Sequence, residues 1–192
     1  MPSRLPPSPV GAHFLTDRRL IAQLVSASGL GSGDLVFDLG AGYGALTAPL
    51  ARAGARVVAI ELDRALAERL RRRFGADPLV AVVEDDLRRV RLPRRPFHVV
   101  ASPPFALTTL LCRRLLGDRN IRLTGAELIL EWGAAKWLSS LEPRDREQAR
   151  WASRYEIRLV RRVAAASFSP PPRSDAAYVR IRPCAGSKAD RR

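Results

Sequence analysis

Between residues 35 and 101 the chain alternates continuous apolar runs with stretches whose apolar positions recur every three to four residues. Residues 35–39, 56–60, 79–83 and 97–101 are short and rich in β-branched or aromatic side chains, which predicts strands buried on both faces. Residues 45–53 and 64–74, between them, carry helical spacing. Upstream, Leu15, Leu20, Ile21, Leu24 and Val25 predict a helix reaching Ser28, with Thr16 or Asp17 as its cap. Downstream the pattern predicts a helix over 107–116, a strand near 127–130 and a helix over 134–141. Two late strands, 157–163 and 177–181, flank a proline-rich turn with no helical pattern between them. Such alternation predicts an α/β domain with a mostly parallel sheet covered on both faces, closed at one edge by an antiparallel hairpin. The reading divides the chain into a mobile arm at 1–12, which carries Pro2, Pro6, Pro7 and Pro9, one domain at 13–183, and a basic tail at 184–192.

Composition narrows the function. The 192 residues suffice for one domain with a real core, and 46% hydrophobic content argues against the chain as a whole being a disordered basic segment. The net charge of +14, carried almost entirely by arginine, makes nucleic acid the default partner and an anionic membrane the second. The apolar run 123–141 is interrupted by Glu127, Glu131 and Lys136, so it predicts no membrane span. The prolines at the start argue against a signal peptide. Cys112 and Cys184 show no CxxC spacing, which fits a reducing cytoplasm and offers neither disulfide framework nor zinc site. With only His13 and His98 besides, no metal centre is expected. The chain is read as a monomer.

Chemistry enters at DLGAGYGALT, residues 38–47. Ligands of open parallel sheets sit beyond the carboxyl ends of the strands, and this segment leaves the first of them. Gly40, Gly42 and Gly44 let a ligand approach the backbone where the next helix begins. The same glycines can be scanned as a dinucleotide pattern ending at Ala45, so the loop alone does not choose a cofactor. The acids do. Asp38, two residues before the first glycine, would repel a pyrophosphate but suits an ammonium group. Glu61 closes the second strand, placed to accept from two ribose hydroxyls. Asp86 closes the third, placed to accept from an adenine amino group. One acid at the end of each of three successive strands describes a site for S-adenosylmethionine.

The fourth strand runs into ASPPF, residues 101–105. An exocyclic amino group is a poor nucleophile because its lone pair is delocalised into the ring. Two acceptors on its protons draw the nitrogen toward a tetrahedral, nucleophilic form. Ser102 Oγ and the Pro103 carbonyl can supply both, and Phe105 gives a flipped base a face to stack on. Transfer of a methyl group then needs positioning and polarisation more than a strong base.

GAHFLTD (11–17), DLGAGYGALT, AIELDRAL (59–66), VVEDDL (82–87), ASPPF and ASFSPPPRSDAAYVRI (166–181) occur in the order seen in ribosomal RNA adenine dimethylases. Over residues 11–183 the chain most resembles the erythromycin-resistance branch, which methylates an adenine of large-subunit ribosomal RNA. The resemblance implies a Rossmann-like class I S-adenosylmethionine-dependent methyltransferase with a seven-stranded sheet. It implies cofactor contacts from His13, Leu15, Gly40, Glu61, Asp86 and Ser102, beside Asp38 and Gly42 from the loop reading. The implied output is resistance to macrolides, lincosamides and streptogramin B, and the implied partner is large-subunit ribosomal RNA before full assembly. Three departures accompany it. The family's Gln-Asn-Phe-Leu is Ala12-His13-Phe14-Leu15 here, and its reacting Asn is Ser102. A catalytically degenerate paralogue that binds RNA and cofactor, or an amino methyltransferase of DNA, are the competing readings of that serine. The third departure is the lack of the family's C-terminal helical domain, so RNA contact is expected on the domain itself. Arg146, Arg150 and Arg154 recur at four-residue spacing and predict a cationic helical stripe for phosphates.

Overall fold

The computed structural model describes residues 12–184. The arm at 1–11 and the tail at 185–192 lie outside the described residues. Phe14–Leu15 forms a short strand, β1, that the helical reading absorbed into the first helix. Asp17 is what separates the two. Its carboxylate accepts from Arg19 N (2.9 Å) and Leu20 N (3.1 Å), so α1 begins at Arg18 and spans Arg18–Ser28. Then follow β2 (Leu35–Leu39), α2 (Thr47–Arg52), β3 (Arg56–Glu61), α3 (Arg64–Phe74), β4 (Val80–Glu84) and β5 (Pro96–Ala101). The second half holds α4 (Thr108–Cys112), β6 (Arg122–Glu131), α5 (Trp132–Leu138), α6 (Arg146–Ala152), β7 (Tyr155–Val163), β8 (Phe168–Ser169) and β9 (Ala176–Pro183).

Seven strands of the described residues form one sheet in the order β4-β3-β2-β5-β6-β9-β7. The first five run parallel, and β9 pairs antiparallel with both β6 and β7, which gives the expected antiparallel edge. Strand order reverses between β2 and β5, so the crevice of the sheet opens there. Leu20 and Leu24 of α1 and Leu50 of α2 pack on Val36, Val57, Val100 and Ile129, while Leu70 and Phe74 of α3 cover Ala59. On the other face Leu111 of α4, Ala135 and Leu138 of α5 and Trp151 of α6 pack on Phe37, Val99, Leu128 and Val179. No described helix is long and apolar enough to cross a membrane.

Several elements depart from the sequence pattern for local reasons. The predicted helix over 107–116 is split: a 3-10 turn at Phe105–Leu107 precedes α4, and a widened π-helical turn, Arg113–Gly117, ends it. The helix predicted over 134–141 starts at Trp132 because Glu131 accepts from Ala134 N (2.9 Å), and it stops at Leu138, leaving Leu141 exposed. β6 is ten residues long rather than four. Its polar interruption, Glu127, is fully buried yet satisfied: Tyr178 Oη, Arg180 and Arg182 all donate to its carboxylate. Glu127→Ala is therefore expected to strand two partly buried cations, lowering stability by about 3–5 kcal/mol and the melting temperature by roughly 10 °C. Calorimetry of the variant checks this; a shift within a degree of the parent would show the cluster to be dispensable.

Candidate active site

The ends of β2, β3, β4 and β5 converge on two adjoining cavities of about 180 and 630 Å³, both lined by His13, Phe14, Gly40 and Ser102. The smaller adds Asp38, Tyr43 and Leu15. The larger adds Glu61, Asp86, Leu87 and Pro104. The three acids, Gly40 and Ser102 thus line these two adjoining cavities, of the size small-molecule sites occupy, whereas Gly42 and Gly44 line neither.

Asp38 is 1% exposed, and its Oδ2 accepts from Thr47 Oγ1 at 2.6 Å. Burial pushes its carboxyl up to about 7; the Glu61 charge adds to the rise and the Thr47 hydrogen bond opposes it. Glu61 folds back over the glycine loop, accepting from Gly42 N (2.8 Å) and Asp63 N (2.9 Å). Asp86 accepts from Arg88 N (2.8 Å) and from Arg88 Nε (3.0 Å), and these bonds hold its carboxyl below the usual range. Ser102 differs from all three. Its Oγ is buried and has no hydrogen-bond partner among the described residues. A buried hydroxyl with neither its donor nor its acceptor capacity used is costly, and it belongs to a residue that lines both cavities.

Gly42 shows why the loop is glycine-rich. Its φ is +54°, and a Cβ there would lie 2.8 Å from the Phe14 ring. Phe14 belongs to a strap across the mouth: β1 pairs with β8, Thr16 N donates to Ser167 O (2.9 Å), and His13 Nδ1 donates to Pro170 O (2.9 Å). Gly42→Ala is expected to displace the strap, cost about 1–3 kcal/mol and weaken cofactor binding. Calorimetric titration with S-adenosylhomocysteine checks it. Binding as tight as the parent's would show the strap to be uninvolved.

Three features escaped the sequence reading. Arg114, at the widened end of α4, donates to the carbonyls of Leu87 and Val90 and so clamps the loop that carries Asp86. Phe168 stands edge-on to Phe105, ring centroids 5.8 Å apart, with His13 on another side at 6.0 Å, so Phe105 belongs to an aromatic cluster. Thr47 supplies the one hydroxyl that Asp38 receives. Hydrophobic period carries no signal for any of them.

The arginine stripe needs correction. α6 ends at Ala152, so Arg154 leaves the helix; its guanidinium donates to Leu116 O (2.9 Å) and stacks over Tyr155. Arg146 and Arg150 remain on α6. That helix leads into the start of β7, where Tyr155 pairs with Pro183, whereas the mouth lies at the opposite end of β9, where Ala176 pairs with Glu131. Arg158 sits on β7, paired with Glu156. No single helical stripe exists because the chain turns into a strand at residue 155.

A reversed strand order, a glycine loop at the switch point and acids at successive strand ends make this a Rossmann-like methyltransferase domain. The family described as ribosomal RNA adenine dimethylase matches residues 8–191, and the chain belongs to that family. It is 32% identical over 171 residues to an rRNA adenine N-6-methyltransferase of Bacillus licheniformis, covering 89% of this chain and 60% of that protein. It is 36% identical over 166 residues to the mycinamicin-resistance protein MyrB of Micromonospora griseorubida, covering 86% and 52%. The crystal structure of the 23S rRNA methyltransferase ErmE superposes with a TM-score of 0.81 at 28% identity, covering 90% of this chain and 70% of that one. The chain therefore spans about half to three fifths of the length of these two curated relatives.

Proposed function

We propose that the chain transfers a methyl group to the 6-amino group of an adenine in large-subunit ribosomal RNA, with resistance to macrolides, lincosamides and streptogramin B as the output. The observation that carries this is Ser102 at the end of β5, a residue with an unpartnered Oγ that lines both the cavity of Asp38 and the cavity of Glu61 and Asp86. Relatives named for adenine N-6 methylation and for antibiotic resistance support the choice of base and output.

The residues present fit S-adenosylmethionine: a buried carboxylate for an ammonium, two acids for ribose and adenine, and Gly40, with no side chain, lining both cavities. Asp38, Gly40, Gly42, Glu61 and Asp86 would hold it, with His13 and Leu15 of the strap closing one side. Bound there, it supplies an electrophilic methyl on a sulfonium. Ser102 Oγ accepts one proton of the adenine amine and the Pro103 carbonyl the other, which restores lone-pair density to that nitrogen. Phe105, braced edge-on by Phe168, stacks against the base. An unpaired or loop adenine is the natural target, because a base within a duplex must first leave its stack.

Radiolabelled S-adenosylmethionine offered with protein-free ribosomal RNA, intact large subunits and DNA tests the proposal. Label is expected on adenine of the protein-free large-subunit RNA. Cofactor binding with no label in any substrate would instead make the chain a catalytically degenerate paralogue. Label in DNA alone would make it a DNA amino methyltransferase.

A further inference from the structure

The sheet carries a second opening that the methyl-transfer chemistry does not use. α3 covers one face of β3 and β4, while over the other face the connection at 85–95 forms no helix. A groove of about 480 Å³ remains there, floored by Phe37, Val58, Ile60 and Val83 and rimmed by Asp85, Arg89 and Arg91. Val83 is 36% exposed in a strand whose sequence reads as buried.

The charge around this groove is predominantly positive. The connection reads DDLRRVRLPRRP and holds five arginines between residues 88 and 95. Arg88 is spent on Asp86, but Arg89, Arg91, Arg94 and Arg95 are exposed, and none is paired with an acid among the described residues. Asp85 also lines the groove and keeps its charge, accepting from Asp86 N (2.7 Å), while Glu84 pairs with Arg71 (3.1 Å), so the arginines outnumber the acids. By contrast, Arg146 and Arg150 lie toward the far end of the sheet.

Position links the groove to the mouth. Asp85 adjoins Asp86, and Ile60 precedes Glu61, so the groove begins where the cofactor cavity ends. β3 stands two strands, about 10 Å, from β5 and Ser102. An apolar floor beneath a guanidinium rim suits an unpaired nucleotide, whose base is buried and whose phosphates meet arginine. A duplex keeps its bases stacked and gains nothing from such a floor.

We propose that this groove holds an unpaired nucleotide of the substrate RNA beside the target, with Arg89 and Arg91 on its phosphates and Val83 and Val58 under its base. The proposal rests on the RNA-methylation reading above and adds where the RNA is gripped.

Filter binding of the full chain to protein-free large-subunit ribosomal RNA and to oligoadenylate, across a salt series, tests it. Arg89→Gln with Arg91→Gln is expected to weaken binding about tenfold and to flatten the log–log salt slope by about 1.4, two single-strand phosphate contacts. Val83→Glu, a change at an already exposed residue, is expected to weaken it as well. Affinity for S-adenosylhomocysteine should stay at the parent value in all variants, which shows that the fold and the Asp86 loop are intact. Arg146→Gln with Arg150→Gln should leave the slope alone. An unchanged slope in the Arg89/Arg91 pair overturns the proposal, and so does a fall confined to the Arg146/Arg150 pair. A loss in the arginine pair without any in Val83→Glu removes the base from the groove and overturns that half. If the parent binds RNA through this groove yet labels no RNA, the methylation reading fails while the groove stands.

Discussion

Ser102→Ala is expected to lower the rate of methyl transfer by about 10²–10³-fold, the cost of losing one preorganised acceptor at the reacting centre. The Oγ is buried without a partner, so in the free protein its removal relieves an unsatisfied group and costs no folding stability. Those two directions together distinguish a catalytic serine from a structural one. A structural serine would lower stability and activity in step. A catalytic one leaves the melting temperature unchanged or raised while the rate collapses, with affinity for S-adenosylhomocysteine altered only a few-fold. Ser102→Asn, which installs the family's carboxamide oxygen, is expected to raise the rate above the parent's if the serine is merely a weaker acceptor. Single-turnover transfer to RNA, read beside calorimetry, decides between them. Ser102→Ala at the parental rate would sink the polarisation role.

The site was legible because its residues obey a rule that links sequence order to place. In a parallel sheet each strand delivers its carboxyl end to the same edge, so Asp38, Glu61, Asp86 and Ser102, four successive strand ends, had to meet. Four strand–helix alternations and a closing pair were enough to fix that edge. What the sequence could not show was which end of the molecule a later arginine would occupy. Arg146 to Arg158 have perfect helical spacing, yet β7 intervenes, and its direction sends the run's start away from the mouth.

Other features stayed hidden for related reasons. Arg114 donates to two main-chain carbonyls, which every residue type possesses, so no spacing reveals the pair. Glu127 reads as a break in an apolar run and is instead the most buried acid of the sheet, neutralised by Arg180 and Arg182 from 53 and 55 residues away. The open face of β4 is invisible to hydrophobic patterning as well, since a run of valines looks alike whether or not a helix covers it.

The second large effect concerns Asp38 and pH. Its carboxyl sits at about 7 in the folded chain, against roughly 3.9 in an unfolded one. The folded state thus holds this proton more tightly. Its stabilising contribution is complete below about pH 4 and disappears as pH rises through 7, a difference of about 4 kcal/mol. Asp38→Asn keeps an acceptor for Thr47 but has nothing to ionise. Between pH 6 and 8 the parent's melting temperature is therefore expected to fall, whereas the variant's stays level and at pH 8 exceeds the parent's by roughly 10 °C. Binding runs the other way. An ammonium beside Asp38 favours the carboxylate, so below pH 7 the cofactor must expel a proton to bind, and affinity should drop about tenfold per pH unit. Asp38→Asn should bind about 10- to 100-fold more weakly at pH 7.5, having lost a charge-assisted contact, with no such slope below it. Titration calorimetry at pH 5.5, 6.5 and 7.5 in buffers of differing ionisation enthalpy reads both the slope and the released proton. A parent affinity that is flat over this range would remove the ammonium from Asp38. The stability gain in the variant would then mark the buried acid as a cost the fold bears for some other ligand.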